Sequence, residues 1–140
     1  MTRAIRVVLV ALGAVAVVVG GWALVAPRSF YDDFPATGRD WVAADGPFNE
    51  HLVRDVGALL LALAVVTAVA AVRLSPVLVR TASVAWLVYS VPHLAYHLHH
   101  LELYDVGDQV ALAATLVVPV VGAAFTLVAA TALRHHRPEA

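Results

Sequence analysis

The chain has 140 residues, of which 61% are hydrophobic and 14% charged, with a net charge of −1 and no cysteine. Soluble domains carry about 25% charged residues, so a chain this short and this apolar needs lipid as part of its solvent. The absence of cysteine excludes disulfides and iron–sulfur clusters, the absence of lysine excludes Schiff-base chemistry, and the charge balance argues against a nucleic-acid partner.

Four apolar stretches are long enough to cross a bilayer as helices, which takes about 20 residues. They cover about residues 5–26, 52–72, 77–98 and 110–133, with a long loop at 27–50. Pro27 ends the first stretch, and Asp108 is a candidate N-cap for the fourth. Small residues would let the helices pack closely, namely Gly13, Gly20, Gly57 and Gly122. The sequence therefore predicts an all-α fold, one transmembrane domain over residues 1–140 arranged as an up-down four-helix bundle.

The arginines predict how the helices are oriented. If the helices alternate in direction, six of the nine arginines fall on one side of the membrane: Arg3, Arg6, Arg73, Arg80, Arg134 and Arg137. The loop at 27–50 then lies on the other side and is rich in acids. Because cytoplasmic segments carry the excess of basic residues, both termini are predicted to lie in the cytoplasm of a multi-pass protein of the cell membrane.

Histidines gather at the predicted outer end of the third span. At about 100° per residue, His93, His97 and His100 fall on one stripe with Tyr89, and Tyr96 lies close to its edge. Histidine at this depth normally faces the interior of a bundle and has polar partners.

The second span begins with a polar turn at the same membrane level. It contains Glu50, His51, Arg54 and Asp55. Because antiparallel neighbours meet at the outer surface, this turn is predicted to face the histidine stripe and to form a pocket between the second and third spans.

Three interpretations of these residues remain open. The first is a hydrogen-bonded polar plug that bridges the helices. The second is a zinc, copper or iron site, with ligands drawn from His51, His93, His97, His100, Glu50 and Asp55. The third is a haem, a quinone or a lipid headgroup, contacted by Tyr89, Tyr96 and Arg54. Haem is disfavoured, because His93 and His97 on one helix cannot supply opposite axial ligands.

The first half of the chain contains Pro27, the dipeptide Phe34-Pro35 and the segment from Asn49 to Gly57, which includes Arg54-Asp55-x-Gly57. With these features it resembles the DoxX-like group of small four-helix bacterial membrane proteins. The resemblance implies a four-helix bundle that often acts as a subunit or partner in a larger system. It implies no settled chemistry and no catalytic residues.

Three functions are consistent with this pattern. The first is an integral membrane protein that binds a metal ion or a small ligand in the outward-facing pocket. The second is a non-catalytic accessory subunit of a larger membrane complex or a homo-oligomer, with the polar cluster as a structural plug. The third is a membrane enzyme acting on a lipid or quinone, with His93 or His51 as general base. Whether the protein is an enzyme stays open.

Overall fold

The computed structural model describes residues 1–133, in which helices make up most of the chain and no strand occurs. The five α-helices are α1 (Thr2–Val25), α2 (Pro27–Asp33), α3 (Glu50–Arg73), α4 (Pro76–Leu98) and α5 (Val106–Ala129). Two short 3₁₀ turns cover Ala43–Asp45 and Leu101–Leu103. The helices α1, α3, α4 and α5 are long and apolar enough to cross a membrane. The all-α prediction is confirmed, and the number of helices with the length and composition of membrane spans agrees with the four predicted, which suggests a membrane protein.

Local sequence signals explain most helix ends. Ala26 precedes Pro27 and leaves the helical region, with φ −129° and ψ 63°, so α1 stops and Pro27 opens α2. The side chain of Asn49 accepts a hydrogen bond from the Leu52 amide and begins α3, and Ser75 does the same for Leu78 in α4.

The fourth span begins earlier than its sequence suggests. Asp105, not Asp108, precedes the first residue of α5, and Asp108 lies in the first turn of the helix. The prediction of Asp108 as the N-cap is therefore wrong. The tail predicted to be cytoplasmic, with Arg134, His135, His136 and Arg137, lies outside the described residues.

The two glycines Gly20 and Gly57 set the contact between α1 and α3. A Cβ atom on Gly57 would lie 2.6 Å from the Leu24 nitrogen and 2.7 Å from the Gly20 carbonyl oxygen. A Cβ atom on Gly20 would lie 2.8 Å from the Gly57 carbonyl oxygen. The two backbones therefore approach as closely as small residues permit in membrane helices.

Hydroxyl groups connect the other helices in the middle of the bundle. The Ser83 and Thr126 hydroxyls, on α4 and α5, lie 2.7 Å apart, and the Trp86 indole N–H donates to Thr67 on α3 at 2.9 Å. Thr67, Ser83 and Thr126 are fully buried. Interhelical hydrogen bonds of this kind contribute about 0.6 kcal/mol each inside a membrane, with a maximum near 1.7.

The bundle has two chemically different ends. One buried layer joins the first turns of α1 and α4 to the last turns of α3 and α5, through Ile5, Leu9, Ala71, Val79 and Ala129 among others. We call this the arginine end, because it carries Arg3, Arg6, Arg73 and Arg80. The opposite end, which we call the histidine end, contains α2, the loop at 34–49, the last turns of α4 and the connection at 99–105.

Candidate functional site

Aromatic and imidazole rings form a continuous column along α4 at the histidine end. Tyr89 stacks on His93, with ring centroids 5.3 Å apart, and His93 meets His97 edge-on at 4.8 Å. Trp86 lies below Tyr89 at 6.1 Å, deep in the bundle and 1% exposed. Both histidines are half-buried. The structure thus places Tyr89, His93 and His97 side by side, at the spacing that an α-helix gives to residues four apart.

Tyr96 and His100 occupy the edge of this column, and Tyr96 contacts the loop at 34–49. The Tyr96 hydroxyl donates to Asp45 at 2.9 Å, and the Tyr96 ring stacks on His100 at 4.2 Å. His100 Nδ1 lies 2.7 Å from the Tyr96 carbonyl oxygen, so this histidine helps to satisfy the last turn of α4. Asp45 therefore supplies a carboxylate beside the histidine column from a distant part of the chain.

Tyr104 joins the histidine column to the loop from the other side. Its hydroxyl donates to the Trp41 carbonyl oxygen at 3.0 Å and lies 3.5 Å from His97 Nδ1. Gln109 bonds the Tyr104 carbonyl oxygen at 2.8 Å, and Arg39 pairs with Asp108 at the start of α5. The loop is thereby fixed to both α4 and α5 by polar contacts.

The buried position of Tyr104 alters its ionisation. Tyr104 is 8% exposed. Burial, followed by the charge of Asp45 and further contributions from Tyr96 and Asp40, raises the pKa of Tyr104 to about 12. The hydroxyl therefore stays protonated at neutral pH and acts as a hydrogen-bond donor to Trp41.

This shift predicts a loss of stability in alkali. The pKa of the folded state lies above the ordinary value of 10.0, so the stabilisation is complete below pH 10 and disappears as the pH rises toward 12. Between pH 8 and pH 11 the free energy of unfolding of the wild type should fall by about 1 kcal/mol more than that of Tyr104→Phe, which has no hydroxyl to ionise at this position. Thermal unfolding of both proteins in detergent between pH 8 and 11 measures the difference, and parallel curves would contradict it.

The polar turn of α3 is directed at α1. Arg54 pairs with Glu50, at 2.8 Å from Nη2 to the carboxylate, and its Nη1 donates to the Leu24 carbonyl oxygen in the last turn of α1. His51 and Asp55 lie 3.4 Å apart with side chains 88% and 56% exposed. This turn therefore caps α1 and meets solvent.

The structure does not assemble the predicted ligands into one group. Within residues 1–133, no three side chains of histidine, aspartate or glutamate lie close enough to share a metal ion. The predicted set separates into the column on α4, with His93, His97 and His100, and the turn on α3, with Glu50, His51 and Asp55. Likewise Tyr89 and Tyr96 belong to the column, whereas Arg54 bonds α1.

Sequence reasoning missed three residues of this site: Asp45, Tyr104 and Trp41. Tyr104 follows His97 by seven residues, but the helix ends between them, so helical periodicity does not relate the two. Asp45 and Trp41 lie in an irregular loop where no period applies.

Two buried hydrogen-bond donors near this end have no partner among residues 1–133. They are the indole N–H of Trp41, which is 6% exposed, and the hydroxyl of Ser90, which is 2% exposed. Leaving such a group unpaired costs about 1–3 kcal/mol. Both groups could donate to an acceptor that is not part of the described chain, and Ser90 lies one turn below the histidine pair on α4.

The fold has four helices long and apolar enough to cross a membrane, as in a membrane protein, and one end rich in histidine and tyrosine. Comparison with protein families, with curated proteins and with solved structures finds no match to this chain. The DoxX-like resemblance accordingly stays a prediction.

Proposed function

We propose that the histidine end binds a metal ion or a small ligand at His93 and His97, on the outer side of the cell membrane. In this proposal the bundle is up-down, and both termini lie in the cytoplasm. Two observations support this orientation. The arginine end carries four arginines, and every carboxylate of residues 1–133 lies within residues 32–55 or 102–108, toward the histidine end.

The observation that carries the proposal is the pair His93 and His97 on one face of α4. The two rings lie 4.8 Å apart, one helical turn from each other, which is the spacing at which two histidines converge on one ion. Two imidazoles suit zinc, copper(II) or iron, with water or ligands from outside residues 1–133 completing the coordination.

Metal titration of the purified protein tests the proposal. The wild type should bind one zinc or copper(II) ion, and His93→Ala and His97→Ala should each weaken binding at least tenfold, because each removes one of few ligands. His99→Ala is the matched control, since His99 is exposed and its Nδ1 lies 2.7 Å from the Ala95 carbonyl oxygen. His51→Ala asks whether α3 contributes a ligand.

A wild type that binds no metal would exclude the metal ion as the ligand and leave the small molecule. A copurifying chromophore or an extractable quinone would then reveal that molecule. If the purified wild type also carries no such molecule, and His93→Ala changes neither titration nor extract, the proposal fails.

The alternative is a structural plug in a non-catalytic accessory subunit. It is favoured by the bonds from Tyr96 to Asp45 and from Tyr104 to Trp41, which already hold the loop on the bundle. In that case Asp45→Asn lowers the thermal stability without changing the metal content. A membrane-protein partner or a second copy of the chain co-purifies in a fixed ratio with the wild type and equally with the histidine variants.

A further inference from the structure

The arginine end carries positive charge that the described chain does not neutralise. At the histidine end, each arginine of residues 1–133 pairs with a carboxylate: Arg28 with Asp32, Arg39 with Asp108 and Arg54 with Glu50. At the arginine end, residues 1–133 contain four arginines and no carboxylate. Anions that bind there must therefore come from outside this part of the chain.

Two of these arginines lie beside an apolar groove on α1. The groove has a volume of about 980 Å³ and is lined by Arg3 and Arg6, then by Val7, Val10 and Ala14, with Leu74 from the end of α3. From Arg3 to Ala14 the helix rises about 16 Å, at 1.5 Å per residue. That length is close to half of the roughly 30 Å hydrocarbon thickness of a bilayer. The groove thus combines a cationic end with an apolar wall as long as one leaflet is deep.

Arg6 is held in place at this position. Its Nε donates to the Ala71 carbonyl oxygen at 3.1 Å, in the last turn of α3, where carbonyls have no partner within the helix. This bond uses one of the five N–H donors of the guanidinium. The rest of the group remains suited to an oxyanion beside Arg3.

A second groove adjoins the first on the surface of α1 and shares residues with it. It has a volume of about 660 Å³ and is lined by Arg3, Val7, Val8 and Phe125, among others. Because Arg3 and Val7 belong to both grooves, a headgroup at Arg3 would have an apolar path on each side of this shared edge. A ligand with two acyl chains fits this arrangement, whereas a free phosphate would use only the arginines.

We propose that the arginine end binds an anionic phospholipid, with its phosphate at Arg3 and Arg6 and its acyl chains along the grooves beside α1. Basic sites between helices on the cytoplasmic side of a membrane recognise such headgroups. The inference rests on the membrane placement of the proposed function and not on any ligand at His93. Its test is made in detergent, so failure here leaves the metal proposal untouched.

Thermal unfolding in zwitterionic detergent tests the site, with phosphatidylglycerol, cardiolipin, phosphatidylcholine or glycerol 3-phosphate added. Phosphatidylglycerol and cardiolipin should raise the midpoint, whereas phosphatidylcholine and glycerol 3-phosphate should not. Arg3→Gln should weaken phosphatidylglycerol binding about fivefold, the loss expected for one arginine near a headgroup, and Arg3→Gln with Arg6→Gln should weaken it further. Arg80→Gln is the matched control, because Arg80 lies at the same end but does not line either groove.

A second variant tests the apolar part without changing charge. Ala14→Trp places a large side chain in the groove at an exposed position of α1, so it should reduce lipid stabilisation while leaving helicity intact. This variant and Arg3→Gln decide the question even if Arg6→Gln unfolds through loss of its bond to Ala71. Equal losses in Arg80→Gln and Arg3→Gln, an equal effect of glycerol 3-phosphate, or full stabilisation of Ala14→Trp would each overturn the proposal.

Discussion

Gly57→Ala is expected to destabilise the protein by about 3 kcal/mol, at the upper end of the cost of overpacking. The added Cβ atom would lie 2.6 Å from the Leu24 nitrogen and 3.0 Å from the Leu24 Cα atom, both of them backbone atoms of α1. A backbone cannot rotate away as a flexible side chain can, so α1 and α3 must separate. The free energy of unfolding, measured by sodium dodecyl sulfate titration in mixed micelles and followed by helicity, gives the size of the effect.

Gly21→Ala is the matched control for this substitution. Gly21 adjoins Gly20 in α1, but a Cβ atom on Gly21 would have nothing within 4 Å. Alanine has a higher helix propensity than glycine by about 1 kcal/mol, so this variant should be as stable as the wild type or slightly more stable. Equal stabilities for Gly57→Ala and Gly21→Ala would show that the close approach of the two helices is not present.

The spans could be predicted because the requirement that a bilayer imposes is local. About 20 apolar residues in a row satisfy it, whatever the rest of the chain does. The ends of helices are harder to predict from the sequence, because they depend on residues elsewhere in the chain. Asp108 has the chemistry of an N-cap, but it lies inside α5 and pairs with Arg39 from the loop at 34–49. A contact between residues so far apart in sequence leaves no trace in the helical period.

The column of rings on α4 could be predicted for the same reason. Residues three and four apart share a helix face, so Tyr89, His93 and His97 are neighbours whatever packs around them. The partner of this column depends on which helices pack together. The sequence predicts that the polar turn of α3 faces the histidines, but Arg54 bonds the carbonyl of Leu24 on α1.

One feature of the sequence does indicate the true direction of Arg54. Arg54 and Gly57 are three residues apart and lie on the same face of α3. A glycine at that place marks a close helix contact in a membrane protein, and the contact is with α1. The face that carries Arg54 therefore belongs to α1. Asp45, which takes the place beside the histidines, comes from an irregular loop whose path no sequence period determines.

Trp86→Ala should cost about 3–5 kcal/mol and also weaken any binding at the histidine pair. Trp86 is 1% exposed and packs among Leu12, Ala16, Ala64 and Ala123, so its removal leaves a cavity between α1, α3, α4 and α5. Its ring also supports Tyr89, on which His93 stacks. Loss of that support should let the column shift and weaken metal binding in the titration described above.

Trp86→Phe separates the volume of the ring from its hydrogen bond. Phenylalanine keeps most of the bulk but loses the N–H that donates to Thr67 and part of the indole volume, so the expected cost is about 1–2 kcal/mol, with binding at His93 and His97 retained. The same micelle titration measures both variants. If Trp86→Phe were as damaging as Trp86→Ala, the hydrogen bond to Thr67 would carry the stability of this layer, and the packing argument would be wrong. A small loss in both would show that the ring is not the central contact of the bundle, and the column above it would then need another support.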